Sequence, residues 1–114
     1  MIDQISPTEL PHWIQKQSEL NKSVLLIDVR EEWELETAKV KANGFEMVHI
    51  PMQTIPAHLD QLDPNRPIAC LCHHGSRSQQ VANFLKQNGF DKVVNISGGI
   101  HAWSAEIDSS VPQY

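Results

Sequence analysis

The chain has 114 residues, enough for one domain whose core needs no disulfide or metal to hold it together. With 40% hydrophobic and 20% charged residues it has the composition of an ordinary globular protein. Its net charge of −5 excludes general nucleic-acid binding, which requires a basic surface.

The first residues, Met1-Ile2-Asp3-Gln4, carry neither a basic nor an apolar leader segment. No apolar run approaches membrane-spanning length, so no membrane partner and a cytoplasmic location are expected. Ser6-Pro7-Thr8-Glu9 places a capping serine, a proline at the first helical position and a glutamate three residues after the cap. A helix should follow to about Gln17, burying Leu10, Trp13 and Ile14. The continuous apolar run Val24 to Ile27, ending at Asp28, has the pattern of a parallel strand buried on both faces. Glu31 to Glu36, with Trp33 and Leu35 interspersed, suits a short surface helix, and Asp28 with Arg30 suits a structural ion pair.

Lys39 to Glu46, which contains Asn43-Gly44, reads as a loop. Val48 to Ile50 reads as a short strand stopped by Pro51, and a helix from Ile55 should end before Pro64. Ile68 to Leu71 is a second fully apolar run, the expected central strand, with Cys72 at its carboxyl end. Val81, Ala82, Phe84 and Leu85 form one face of a helix closed by Gly89 and Phe90. Val93 to Ile96 is a last strand, Ser97-Gly98-Gly99 a turn and Ile100 to Ile107 a short helix. Strands alternating with helices imply an α/β sandwich with a mainly parallel sheet, in which ligands bind beyond the carboxyl ends of the strands.

That end of the central strand is the stretch Cys72-His73-His74-Gly75-Ser76-Arg77-Ser78. From Pro64 to Phe90 there are Arg66, Arg77 and Lys86 but no Asp or Glu, so this window is +3 and the rest of the chain −8. A small anionic ligand is favoured there. If the loop curls around Cys72 and enters a helix near Ser76, the amides of residues 73 to 78 converge on the sulfur, and the helix dipole adds positive charge. Both favour a thiolate. Gly75 supplies the positive φ that turns successive amides inward. Ser76 with Gln79 matches a capping box, and Arg77 can offer a planar fork to an anion at the mouth.

Cys70, within the apolar run, reads as a structural thiol. Two cysteines two positions apart on one strand suit a reducing compartment better than a disulfide. His73 and His74 would shape the rim and supply protonatable charge. No metal is expected, because Cys-x-Cys-His-His is not a usual zinc spacing and neighbouring side chains in a tight loop should diverge.

Taken together these motifs resemble a rhodanese domain. Asp28-Val29-Arg30-Glu31 resembles the family's first signature, His49-Ile50-Pro51 the core of the second, Cys72 to Arg77 the active-site loop, and Gly98-Gly99-Ile100-His101-Ala102-Trp103 the closing motif. The resemblance implies a three-layer α/β/α fold with a mainly parallel five-stranded sheet, in a single domain over residues 1–114 with a loop at 72–77 and a tail from about 106 to 114. It implies a sulfurtransferase in which Cys72 carries a persulfide, taking sulfur from an anionic donor such as thiosulfate and passing it to cyanide, a thiol or a sulfur-carrier protein. His73, His74, Gly75, Ser76, Arg77 and Ser78 would bind the substrate, with no cofactor beyond the covalent persulfide.

Rhodaneses place arginine five positions after the cysteine, as here, whereas related phosphatases and arsenate reductases have a loop one residue longer. The sixth position in this chain is Ser78, so the phosphatase reading lacks its arginine. A non-catalytic binding module is the other alternative, and an intact cysteine argues against it. Val48-His49-Ile50-Pro51-Met52-Gln53 departs from the family's usual Gly-His-Ile-Pro-Gly-Ala. The segment Ile107 to Tyr114 resembles the end of rhodanese domains fused to enzymes that activate ubiquitin-like sulfur carriers.

Overall fold

The computed structural model describes residues 2–114; Met1, counted in the domain on sequence, lies outside them. Five parallel strands form one sheet in the order β1-β5-β4-β2-β3, where β1 is Asp3–Ile5, β2 Leu25–Asp28, β3 Glu46–His49, β4 Ile68–Leu71 and β5 Val93–Ile96. The helices are α1 (Leu10–Glu19), α2 (Glu32–Thr37), α3 (Ile55–His58), α4 (Ser76–Gln87) and α5 (Gly99–Glu106), with short 3-10 turns on both sides of α3. Each parallel step needs a crossover, and the crossovers cover both faces of the sheet.

Alternate residues of the strands feed two cores. Ile68, Cys70 and Cys72 face one with Ile55, Val81, Ala82 and Leu85. Ala69 and Leu71 face the other with Leu10, Ile100 and Trp103. Helices α3 and α4 therefore cover one face of the sheet and α1 and α5 the opposite one, giving the expected three layers. Strand β4 is fully buried and central, so Cys72 leaves it at the middle of the sheet's carboxyl edge.

The local signals behave as the sequence suggests, with three differences of register. Ser6 and Glu9 do exchange capping bonds (Glu9 N–H to Ser6 Oγ 3.3 Å, Ser6 N–H to Glu9 Oε1 2.7 Å), but a turn over residues 7–9 comes before the regular helix. Strand β3 begins at Glu46 rather than Val48, because it is an edge strand whose exposed Glu46 is held by Arg66 at 2.8 Å. Strand β1 escapes the apolar pattern, being three residues long, largely polar and at the opposite edge. The end of α4 is as expected: Phe90 N–H donates to Leu85 O (3.1 Å) and Gly89 N–H to Lys86 O (3.3 Å), with Phe90 buried.

Asp28 and Arg30 form the structural pair foreseen for them. Arg30 is wholly buried, and its guanidinium meets Asp28 through Nε (2.9 Å to Oδ1) and Nη2 (2.8 Å to Oδ2). Its Nη1 donates to Glu34 O (3.3 Å) and Tyr114 Oη (2.9 Å), so the charge fixes the carboxyl end of β2, the turn into α2 and the tail together. Replacing Arg30 with Ala leaves the buried Asp28 carboxyl without its partner; urea denaturation should show a loss of about 3–5 kcal/mol.

Candidate active site

The loop from Cys72 to Gly75 connects β4 to α4, and Gly75 decides its shape. With φ of 105° it occupies backbone space that side-chain-bearing residues avoid, and its N–H thereby points back to Cys72 Sγ at 3.0 Å. Gly75 is itself the N-cap of α4 and no side chain caps the helix, so the expected Ser76–Gln79 capping box is absent. The glycine turn already delivers the chain in helical register, and Ser76 has become the first helical residue. Gln79 instead accepts a hydrogen bond from Gln4 Nε2 of β1.

A second closure comes from α5. Ile100 N–H donates to Cys72 O (2.8 Å) and His101 N–H to His73 O (3.1 Å), so the first turn of α5 grips the loop from below. The approach is so close that a Cβ at Gly99 would stand 2.5 Å from His73 O and nearer still to Cys72 O. Only glycine fits.

Cys72 is 1% exposed and lies at the floor of this arrangement. Ser78, wholly buried on α4, puts its Oγ 3.2 Å from Sγ and 2.5 Å from Asn95 Oδ1; its single proton can serve one acceptor at a time. Asn95 on β5 donates its two amide protons to Gly75 O (3.1 Å) and Gln4 Oε1 (2.8 Å). Asn95 was not anticipated as a site residue. Its signal was a lone amide in the otherwise apolar run of β5.

Arg77 lies at the mouth, but its fork is engaged. Nη1 and Nη2 donate to Glu34 Oε1 (2.6 Å) and Oε2 (2.8 Å), a bidentate pair joining α4 to α2. Glu34, also unanticipated, is buried, donates nothing, and accepts from Glu31 N–H and Tyr114 Oη as well. The Arg77 guanidinium holds its carboxyl at about 2, against burial, with Tyr114 adding to the effect. Tyr114, brought back by the tail, keeps its own proton: burial and the Glu34 carboxylate push the phenol up to about 12.

The rim is made of rings. His73 stacks on Tyr114 (centroids 3.8 Å apart, planes 5° apart) and on His74 (3.9 Å, 28°), and His74 lies 5.1 Å from His101. The adjacent histidines therefore stack and do not diverge, because Tyr114 provides a flat surface for the first of them. Burial and the neighbouring His74 hold His73 below the usual imidazole value, so it contributes less positive charge near neutral pH than its identity suggests. Cys70 stays a thiol: burial and the nearby Cys72 push it up to about 12. Both cysteines are free.

A cysteine at the end of a central parallel strand, an amide turned onto its sulfur and a helix starting at the next residue make up the site. The family model of the rhodanese-like domain matches residues 10–106. The chain belongs to this family. A rhodanese-like/PpiC domain-containing protein 12 of Arabidopsis thaliana, chloroplastic, is 42% identical over 93 residues, covering 78% of this chain and 30% of that protein. A putative sulfurtransferase YtwF of Bacillus subtilis is 36% identical over 93 residues, covering 82% and 85%. An adenylyltransferase and sulfurtransferase UBA4 of Debaryomyces hansenii is 34% identical over 115 residues, which take in 96% of this chain but 25% of that protein. The crystal structure of a rhodanese-like domain protein from Staphylococcus aureus superimposes with a TM-score of 0.74 at 29% identity, covering 99% of each chain.

The Glu34–Arg77 pair gives this rhodanese-like domain a defined acid response. The folded chain holds the Glu34 proton less tightly than the unfolded chain, so the pair's contribution is complete above about pH 5 and is lost as pH falls toward 2. Glu34→Gln should cost about 2 kcal/mol at pH 7 and flatten the fall in stability between pH 5 and 2, read by urea midpoints across that range.

Proposed function

We propose that the protein is a sulfurtransferase that carries sulfane sulfur on Cys72. The observation that carries this reading is the closeness of the loop around one atom: the Gly75 amide is 3.0 Å from Sγ and the Ser78 hydroxyl 3.2 Å. Cys72 to Arg77 spans five positions, a ring suited to one sulfur and small for a tetrahedral phosphate. Two of the similar proteins are named as sulfurtransferases, which supports the same activity.

The half-reactions balance without an external oxidant. The Cys72 thiolate attacks the outer sulfur of a donor such as thiosulfate; a new S–S bond forms, the donor's S–S bond breaks, and sulfite leaves with the electron pair. A nucleophile such as cyanide or a thiolate then takes the terminal sulfur, and the thiolate returns. Neither step needs a general base, which fits a floor lined by an amide and a hydroxyl. The Gly75 amide can stabilise anionic sulfur, joined by the Ser78 hydroxyl when its single proton turns from Asn95 Oδ1 to Sγ; Asn95 holds the Gly75 carbonyl and lies against the Ser78 hydroxyl, so it positions both.

Anion recruitment falls to the Gly75 amide and the exposed rim imidazoles of His74 and His101 rather than to Arg77, whose charge Glu34 neutralises. Arg77 acts as a strut between α4 and α2. A protein sulfur carrier is the acceptor class we favour, since the similarity to the adenylyltransferase and sulfurtransferase UBA4 covers 96% of this chain. No described helix is long and apolar enough to cross a membrane. Two free cysteines suit a reducing compartment, and we place the activity in the cytoplasm.

Incubation with thiosulfate followed by intact mass measurement tests the proposal. A gain of one sulfur atom that Cys72→Ser abolishes is the expected result, and no gain would contradict the thiosulfate reaction. Asn95→Ala should leave the protein folded yet lower the rate of loading by at least tenfold, measured as persulfide formed against time.

A further inference from the structure

The rim histidines do more than line an entrance. One ring nitrogen from each of His73, His74 and His101 lies within 4.8 Å of the other two, although His101 is 27 positions further along the chain, on α5. The loop and α5 are locked together by the two main-chain bonds from Ile100 and His101 to Cys72 and His73, so this convergence is built into the fold.

His73 is prepared as a ligand. Its Nε2 is buried and has no hydrogen-bond partner among the described residues, an arrangement that costs free energy unless something fills the gap. Stacking on Tyr114 holds the ring in place.

We infer that His73, His74 and His101 form a binding site for a divalent transition-metal ion of the Zn2+ class, with one coordination position left open. Three neutral imidazoles suit zinc, copper or nickel and disfavour magnesium and calcium, which prefer oxygen ligands. Tetrahedral coordination at about 2.0–2.1 Å brings the nitrogens to roughly 3.4 Å from one another. Reaching that separation requires the exposed His74 ring to turn out of its stack on His73 and the exposed His101 ring to rotate toward it, while His73 stays fixed. The open position would take water or a soft anion, as in three-ligand zinc sites. Neither Cys70 nor Cys72 is a ligand in this assignment, which separates it from the metal spacing discounted on sequence.

Isothermal titration of the full chain with Zn2+ in a non-chelating buffer tests the site independently of sulfur transfer. The wild type and Cys72→Ser should each bind one equivalent. His74→Ala and His101→Ala, both at exposed positions, should bind at least tenfold more weakly. Absence of binding to the wild type, wild-type affinity in either histidine variant, or loss of binding in Cys72→Ser would each overturn the assignment.

Discussion

Everything at the carboxyl edge of the sheet follows from the requirement that the chain turn around a single sulfur within a few residues. Gly75 meets it by taking a positive φ, which sends its amide to Cys72 Sγ and starts α4 in one step. The turn leaves the carbonyls of Cys72 and His73 pointing away from α4, and the first turn of α5 receives them. Gly99 then has to lie where any side chain would collide with those carbonyls. Two glycines 24 positions apart thus serve one loop.

Around this neutral floor the charges are arranged for position rather than for attraction. Asp28 holds Arg30, Arg30 holds the Glu34 main chain and the Tyr114 hydroxyl, and Glu34 holds Arg77. Buried ion pairs contribute little net stability when complete, but each partner becomes costly if left alone, so the chain of contacts specifies one geometry. It ties the ends of β2 and α4 and the tail to one another, and it gives Tyr114 the fixed plane on which His73 rests. Arg77 of the positive window therefore reaches the site already paired with Glu34.

Much of this was legible in the chain itself. Fully apolar runs at 24–27 and 68–71, and the run at 93–96 broken only by Asn95, announced parallel strands because central strands are buried on both faces, and the turn residues after Cys72 announced the loop. The Asp28–Arg30 pair could be read from two charges at a strand end. What escaped depended on partners distant in sequence. Strand β1 is defined by its pairing with β5 and has no apolar pattern of its own. Glu34 is one of four glutamates in a charged run and becomes distinct only when α2 meets α4, which also diverts Arg77 from the mouth. Asn95 looks like a strand blemish until Ser78 and Gly75 are beside it. The histidines could be seen as neighbours, yet their stacking depends on Tyr114, 41 positions away.

The central claim is that sulfur is carried by Cys72 and not by its buried neighbour two residues earlier. Cys70 shares the strand, but its side chain is enclosed in the apolar core and its thiol stays protonated. Loading with thiosulfate, alkylation and fragment-ion sequencing of the peptide that contains both residues would decide between them. The account predicts the additional sulfur on Cys72 alone; sulfur found on Cys70 would contradict it.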